Sequence, residues 1–197
     1  MEFTDLIIRR RSIYNLSATM PVTQSDIISL TEQALLQCPT PFNSQSGRII
    51  LLFNQEHHKL WEHTLAVLKS VTPPENFART QAKIASFSAA AGTILYFIDT
   101  EVVAAQQKQS PLYADKFPIW AEQAAGMLEY IMWDLLSERG VGASLQHYNP
   151  LIDDRVRQTF PHPQSWKLNA QMPFGGIAAP AEEKSYLPLN QRLKIFG

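Results

Sequence analysis

Residues 119–139 hold the longest unbroken helical pattern in the chain. Trp120, Ala124, Met127, Leu128, Ile131, Met132, Leu135 and Leu136 recur at three- and four-residue steps, the spacing that gathers apolar side chains on one face of an α-helix. Gly140 follows Arg139 and is a natural left-handed stop. The stripe is wide for a helix of a small monomer. Such a helix is either the centre of a core or a face between subunits.

The rest of the chain supplies what could surround it. Phe3, Leu6, Ile7 and Arg10 predict a short first helix over residues 3–10. Thr23, with Asp26 three positions on, resembles a helix start, and an apolar face follows over 25–37. Arg48 to Phe53 and Thr93 to Ile98 are short apolar runs that read as buried strands, the second rich in branched and aromatic residues. Leu60, Trp61, Leu65 and Leu68 predict a helix that stops near Thr72-Pro73-Pro74, and 79–90 another that ends at Gly92. A brief helix over 100–107 and a polar loop from Pro111 to Pro118 lead into the long helix. Beyond it, Val141–His147 reads as a strand, Asp153–Phe160 as a helix, Trp166–Met172 as a strand, and 173–197 as a Pro-punctuated tail. Strict βαβ alternation is absent at both ends. The pattern therefore predicts an α+β fold, a small mixed sheet under helices, in one domain over residues 1–197.

Composition narrows the function. The net charge is −1, which gives no electrostatic case for nucleic acid or an anionic membrane. Cys38 is the only cysteine, so an internal disulfide framework and a multi-cysteine zinc site are both excluded. Without a recognisable base beside it, Cys38 is also a poor nucleophile. His57, His58, His63, His147 and His162 lack metal-ligand spacing and are expected at the surface or as caps. No signal peptide and no transmembrane run is visible, so a cytoplasmic protein is expected.

Four stretches could carry chemistry. Arg9-Arg10-Arg11-Ser12 offers guanidinium forks and a hydroxyl to a phosphate, although a solvated helix end would look the same. Cys38-Pro-Thr-Pro-Phe-Asn-Ser-Gln-Ser-Gly-Arg48 crowds hydroxyl and amide groups beside Phe42 and two prolines. It can hydrogen-bond the edge of a flat heteroaromatic ring, or serve as a polar turn. Gly140 to Pro150 combines small residues, which allow close approach to the backbone, with amides. It is neither a dinucleotide fingerprint nor a nucleophile elbow. Near the end, alternation over Leu187–Phe196 would put Arg192 and Lys194 on one side of a strand, as a phosphate clamp or as an edge that discourages aggregation.

Taken in order, these stretches resemble the nitroreductase family of FMN-dependent oxidoreductases, in the branch of fungal nitroreductase-like proteins and their small bacterial relatives. The matching residues are Arg10–Tyr14, Pro39–Arg48, Gly92–Phe97, Gly140–Pro150, Gln171–Gly175 and Arg192–Phe196. The resemblance implies an α+β fold with a mainly antiparallel sheet, in an intertwined homodimer with FMN at each of two interface sites. It implies that Arg10, Arg11 and Ser12 hold the phosphate and ribityl end, completed by Arg192 and Lys194, with Tyr14 beside them. Asn43 and Gln45 would bond the ribityl chain and ring edge, with Pro39, Thr40 and Phe42 presented from the other subunit. Ser144, Leu145 and Gln146 would line the ring, and Lys83 is a further candidate for the pyrimidine edge or phosphate. Many members carry a basic residue where Tyr14 stands and Pro with an aromatic where Ser46 and Gly47 stand; those differences bear on substrate choice.

The implied activity is NADH- or NADPH-dependent reduction of nitroaromatics, quinones or similar small aromatic acceptors, in two ping-pong half-reactions. The flavin carries the redox chemistry and no side chain need be catalytic. The alternative is a flavin-binding regulatory or stress-response protein of the same fold with little turnover.

Overall fold

Every residue of the strand Gly92–Asp99 is buried, and the other elements are arranged about it. The computed structural model describes residues 2–197. In chain order these form α1 (Phe3–Arg9), β1 (Leu16–Ser17), α2 (Gln24–Gln37), β2 (Gly47–Phe53), α3 (Asn54–Val71), α4 (Pro74–Ser88) and β3 (Gly92–Asp99). There follow α5 (Thr100–Gln109), α6 (Phe117–Glu138), β4 (Gly142–Ala143), α7 (Asp153–Thr159) and β5 (Trp166–Ile177). The sheet runs β1-β5-β3-β2, with β4 also beside β5. Every strand pairing is antiparallel; a parallel contact occurs at the isolated bridge between Ser12 and Ala143. The α+β expectation holds.

Two cores lie on opposite faces of the sheet. On one, Ile94, Tyr96, Ala170, Met172 and Phe174 meet Ile27, Leu30 and Ala34 of α2 and Leu128, Met132 and Leu136 of α6. On the other, Leu95, Phe97 and Leu168 meet Leu60, Trp61 and Leu68 of α3, Ile84 and Phe87 of α4, and Val156 of α7. Tyr96 pairs with Ala170 and Phe97 with Leu168. Asn169 is therefore the extra residue of a β-bulge. The bulge frees its side-chain amide to donate to Glu129 of α6 at 3.0 Å. Burial pushes the Glu129 carboxyl up to about 7, against the Asn169 hydrogen bond and with help from the like charge of Glu122.

The opposite face buries a histidine. His57 is fully enclosed, with Nε2 3.2 Å from the Ser88 carbonyl and Nδ1 2.8 Å from the Thr93 hydroxyl. A carbonyl only accepts, so Nε2 carries the proton and the Thr93 hydroxyl donates to Nδ1. Trp61 Nε1 donates to the same hydroxyl at 3.0 Å. Burial, the dominant cause, holds the ring at about 4. The expectation of a surface or capping role fails for His57, because its partner Thr93 lies on the central strand.

Other departures are local. α3 begins at Asn54, where a positive φ of 50° turns the chain straight out of β2, and not near Leu60. α4 begins at Pro74, since a proline at the first helical position has no hydrogen bond to lose. The strand expected over 141–147 is two residues long, with a separate bridge at Gln146. β5 continues through Ile177 where a tail was expected. The alternating C-terminus forms no strand: a 3-10 turn at Leu189–Gln191 precedes irregular, exposed chain, because no described strand runs beside it. Among the described residues no helix is long and apolar enough to cross a membrane.

Candidate functional site

α1 ends at Arg9, and the extended backbone of Arg10 takes the chain out of the helix. Ser12 then bridges to Ala143, and the Ile13 N–H donates to the Ala143 carbonyl at 2.9 Å. Gly142 is what lets this contact form. A Cβ there would stand 2.9 Å from both Leu16 and Ile177 and 3.1 Å from Ile13. The first and third of the candidate stretches are thereby brought together. Gly140, just upstream, adopts φ 74°, the left-handed stop expected after α6.

Arg10, Arg11, Ser12 and Tyr14 line one open cavity of about 480 Å³, together with Pro180–Ser185, which bring Glu182, Glu183 and Lys184 to it. Arg11 donates to the Glu182 carbonyl at 2.6 Å. The Arg10 guanidinium lies 4.5 Å from the Trp133 ring centre and 5.7 Å from that of Tyr130. Its Nε is 3.8 Å from Asp134 Oδ1. Burial raises the Asp134 carboxyl, against the Tyr130 hydroxyl and the Arg10 charge, which favour the ionised form. Two guanidinium groups and a hydroxyl in one concave space are the donor set that a phosphate monoester requires.

Beside this cavity Ser144 and Gln146 are buried and Leu145 half-buried. Backbone bonds hold them to β5: Ser144 N to the Pro173 carbonyl at 3.3 Å and Gln146 N to the Gln171 carbonyl at 2.7 Å. Gln146 Nε2 donates to Ser144 Oγ at 3.2 Å.

The Pro39–Gln45 loop is built differently. Phe42, Asn43 and Gln45 all have φ between 50° and 53°, a left-handed conformation that costs non-glycine residues about 1 kcal/mol or more each. Side chains compensate. Thr40 Oγ1 accepts from Gln45 N at 3.0 Å, and Arg48 donates to the Gln45 and Gly47 carbonyls at 2.7 and 2.9 Å. Arg48 is fixed in turn by Asp99 at 2.9 Å. Thr40 and Gln45 line a second cavity of about 320 Å³ with Cys38 and Trp166, where burial raises the Cys38 thiol. Phe42 packs outward among Phe117, Trp120 and Tyr113.

Within one chain, then, Arg10, Arg11, Ser12 and Tyr14 share a cavity, with Ser144–Gln146 adjoining through the Ser12 bridge. Thr40 and Gln45 line another. Pro39, Phe42 and Asn43 belong to the same loop. Three candidates stand apart. Lys83 is exposed on α4, 5.7 Å from the Phe87 ring. Arg192 and Lys194 are exposed on the tail and not on the strand that would have aligned them. Arg48, Trp133 and Asp134 were given no site role from sequence. Arg48 lies in the loop stretch itself, but nothing local marks Asp134 as the neighbour of Arg10. No group of three His, Cys, Asp or Glu side chains among the described residues is placed to hold a metal ion.

Residues 7–176 match the model of the nitroreductase family. The candidate nitroreductase HBN1 of Saccharomyces cerevisiae is 34% identical over 90% of this chain and 89% of its own length. The nitroreductase CinD of Lactococcus lactis, solved with nicotinic acid, is 41% identical over the whole of both chains, with a TM-score of 0.91. A nitroreductase structure from S. cerevisiae is 29% identical over 88% of this chain and 94% of that one, with a TM-score of 0.77.

Proposed function

The chain belongs to the nitroreductase family, and from that footing we propose that it is an FMN-dependent oxidoreductase. It takes electrons from NADH or NADPH and delivers them to nitroaromatics, quinones or similar flat acceptors, in two half-reactions. The observation that carries this reading is the cavity holding Arg10, Arg11 and Ser12, joined by the Ser12 bridge to Ser144–Gln146. It places phosphate donors next to a wall of amide and hydroxyl groups. A nitroreductase-fold protein from Desulfitobacterium hafniense holds FMN, at 17% identity a likeness of fold. CinD has been solved with nicotinic acid, chloramphenicol and 4-nitrophenol, three ligands with an aromatic ring, which supports the acceptor class.

When bound, the flavin supplies the two-electron transfer between donor and acceptor. The chain's own residues bind and orient. Arg10, Arg11 and Ser12 neutralise and hydrogen-bond the phosphate, with Arg192 and Lys194 drawn in from the tail. Ser144 to Gln146 offer polar groups along the ring, Asn43 and Gln45 bond the ribityl chain and ring edge, and Pro39, Thr40 and Phe42 are presented by a second subunit. No side chain is assigned as a nucleophile or general base, and the location is cytoplasmic.

The assembly is a homodimer. Phe3, Ile8, Leu36, Phe42, Ile195 and Phe196 are more than half exposed in the single chain, apolar side chains that a second copy would cover. Light scattering should give about twice 22.3 kDa; a stable holo monomer contradicts the dimer. Activity is tested by the loss of nicotinamide absorbance when FMN-loaded protein meets a nitroarene or a quinone. Parallel initial-rate lines are expected when both substrates vary. Turnover no faster than free FMN contradicts the enzymatic reading.

A further inference from the structure

Among the described residues, four buried side-chain atoms have no hydrogen-bond partner, and three of them meet at one place: Arg10 Nε, Trp133 Nε1 and Asp134 Oδ1. The fourth, Asp153 Oδ1, is in the first turn of α7. Asp134 follows Trp133 at the margin of the apolar stripe of α6, with its side chain only 8% exposed. An under-satisfied buried carboxylate weakens a fold. At 3.8 Å its pairing with Arg10 Nε is also too long to be a hydrogen bond, so stability alone does not account for it. Local violations of this kind concentrate where a protein does its work.

We propose that Asp134 is a positioning residue for the flavin phosphate, acting through Arg10. Asp134 attracts the Nε side of the guanidinium, and the Trp133 ring supports its face at 4.5 Å. Arg10 also lines the cavity, where the rest of its guanidinium can meet a phosphate. A guanidinium held at both its edge and its face loses little further freedom when it engages a phosphate bidentately. Without the carboxylate, the Arg10 side chain is free to leave the Trp133 ring for solvent or the tail. This assignment rests on the flavin reading above.

The test uses apoprotein titrated separately with FMN and with riboflavin, which lacks the phosphate, followed by flavin fluorescence. Asp134→Asn keeps the shape and removes the charge. Its FMN affinity should fall about tenfold, the loss of one well-aligned charge-assisted contact, while riboflavin affinity stays at the native value. In an Arg10→Ala background the same substitution should have no further effect on FMN, because the residue it positions is gone. Asp134→Ser repeats the comparison with a smaller neutral side chain. Native FMN affinity in both variants, or equal weakening of FMN and riboflavin, overturns the assignment. Native protein that takes up riboflavin as tightly as FMN, or neither, overturns the phosphate cavity itself and the assignment with it.

Discussion

Two buried polar clusters, one on each face of the sheet, satisfy their hydrogen bonds in opposite ways. Under α3 and α4, His57, Thr93 and Trp61 form a closed set in which each nitrogen and the shared hydroxyl has a partner. Under α6, Arg10, Trp133 and Asp134 leave three atoms without one. The first arrangement is what a fold needs, since buried networks stabilise only when complete. The second leaves bonding capacity beside a basic cavity. The difference teaches where binding is to be sought: on the α6 side and the sheet edge it reaches, and not around the buried histidine.

Five substitutions test that division. The largest effect is expected from Thr93→Val, which strands His57 Nδ1 and Trp61 Nε1 together. Unfolding by urea should show a loss of about 4 kcal/mol, from one to three for each stranded group, with FMN affinity in the folded fraction unchanged. A changed flavin affinity would erase the distinction between the faces.

Acid titration separates the faces by sign. His57 is held at about 4 against an ordinary 6.5, so the unfolded chain binds the extra proton and stability falls as pH drops from 6.5 to 4. Glu129 is raised to about 7 from 4.5, so its contribution runs the other way and stability falls as pH rises from 4.5 to 7. Each amounts to about 3 kcal/mol across its window, and where the windows overlap they offset one another. Relative to native protein, Glu129→Gln should therefore lose about 3 kcal/mol between pH 7 and pH 4.5. A difference that stays constant over that range contradicts the assignment.

On the α6 side, Arg10→Ala should weaken FMN about a hundredfold, the loss of a bidentate charged contact, and lower the melting temperature because it leaves the buried Asp134 carboxylate without its cation. Arg48→Met removes the donors that hold the Gln45 and Gly47 carbonyls. It should cost about 2 kcal/mol of stability and shift FMN affinity less than Arg10→Ala does. The reverse order would mean that the loop, and not the charged cavity, dominates binding. Lys83 lies on the α3–α4 side, and Lys83→Ala is expected to leave FMN affinity unchanged. A loss of affinity there would place a site residue on the wrong face.

Much of this was legible in the sequence because it is local. The stripe of α6, the left-handed stop at Gly140, the capping box of Thr23 with Asp26 and the apolar run of β3 each declare themselves within a few residues. The stop of α3 near Thr72-Pro73-Pro74 was legible too, whereas the start of α4 at Pro74 itself was not. What was not legible depends on partners distant in the chain. The burial of His57 needs Thr93, and the anchoring of Arg10 needs Asp134. The alternation over Leu187–Phe196 has the pattern of a strand but no described strand beside it to pair with. The arginines and the Gly142 segment were each visible alone; that Ser12 bridges to Ala143 is a property of the folded chain.

The most direct test of the account is the visible spectrum of the purified protein, before and after NADH or NADPH is added without oxygen. The account predicts flavin bands that bleach on addition of nicotinamide. A colourless protein that takes up no added FMN would contradict it, and flavin bands that nicotinamide leaves unchanged would show a flavin-binding protein without the proposed turnover.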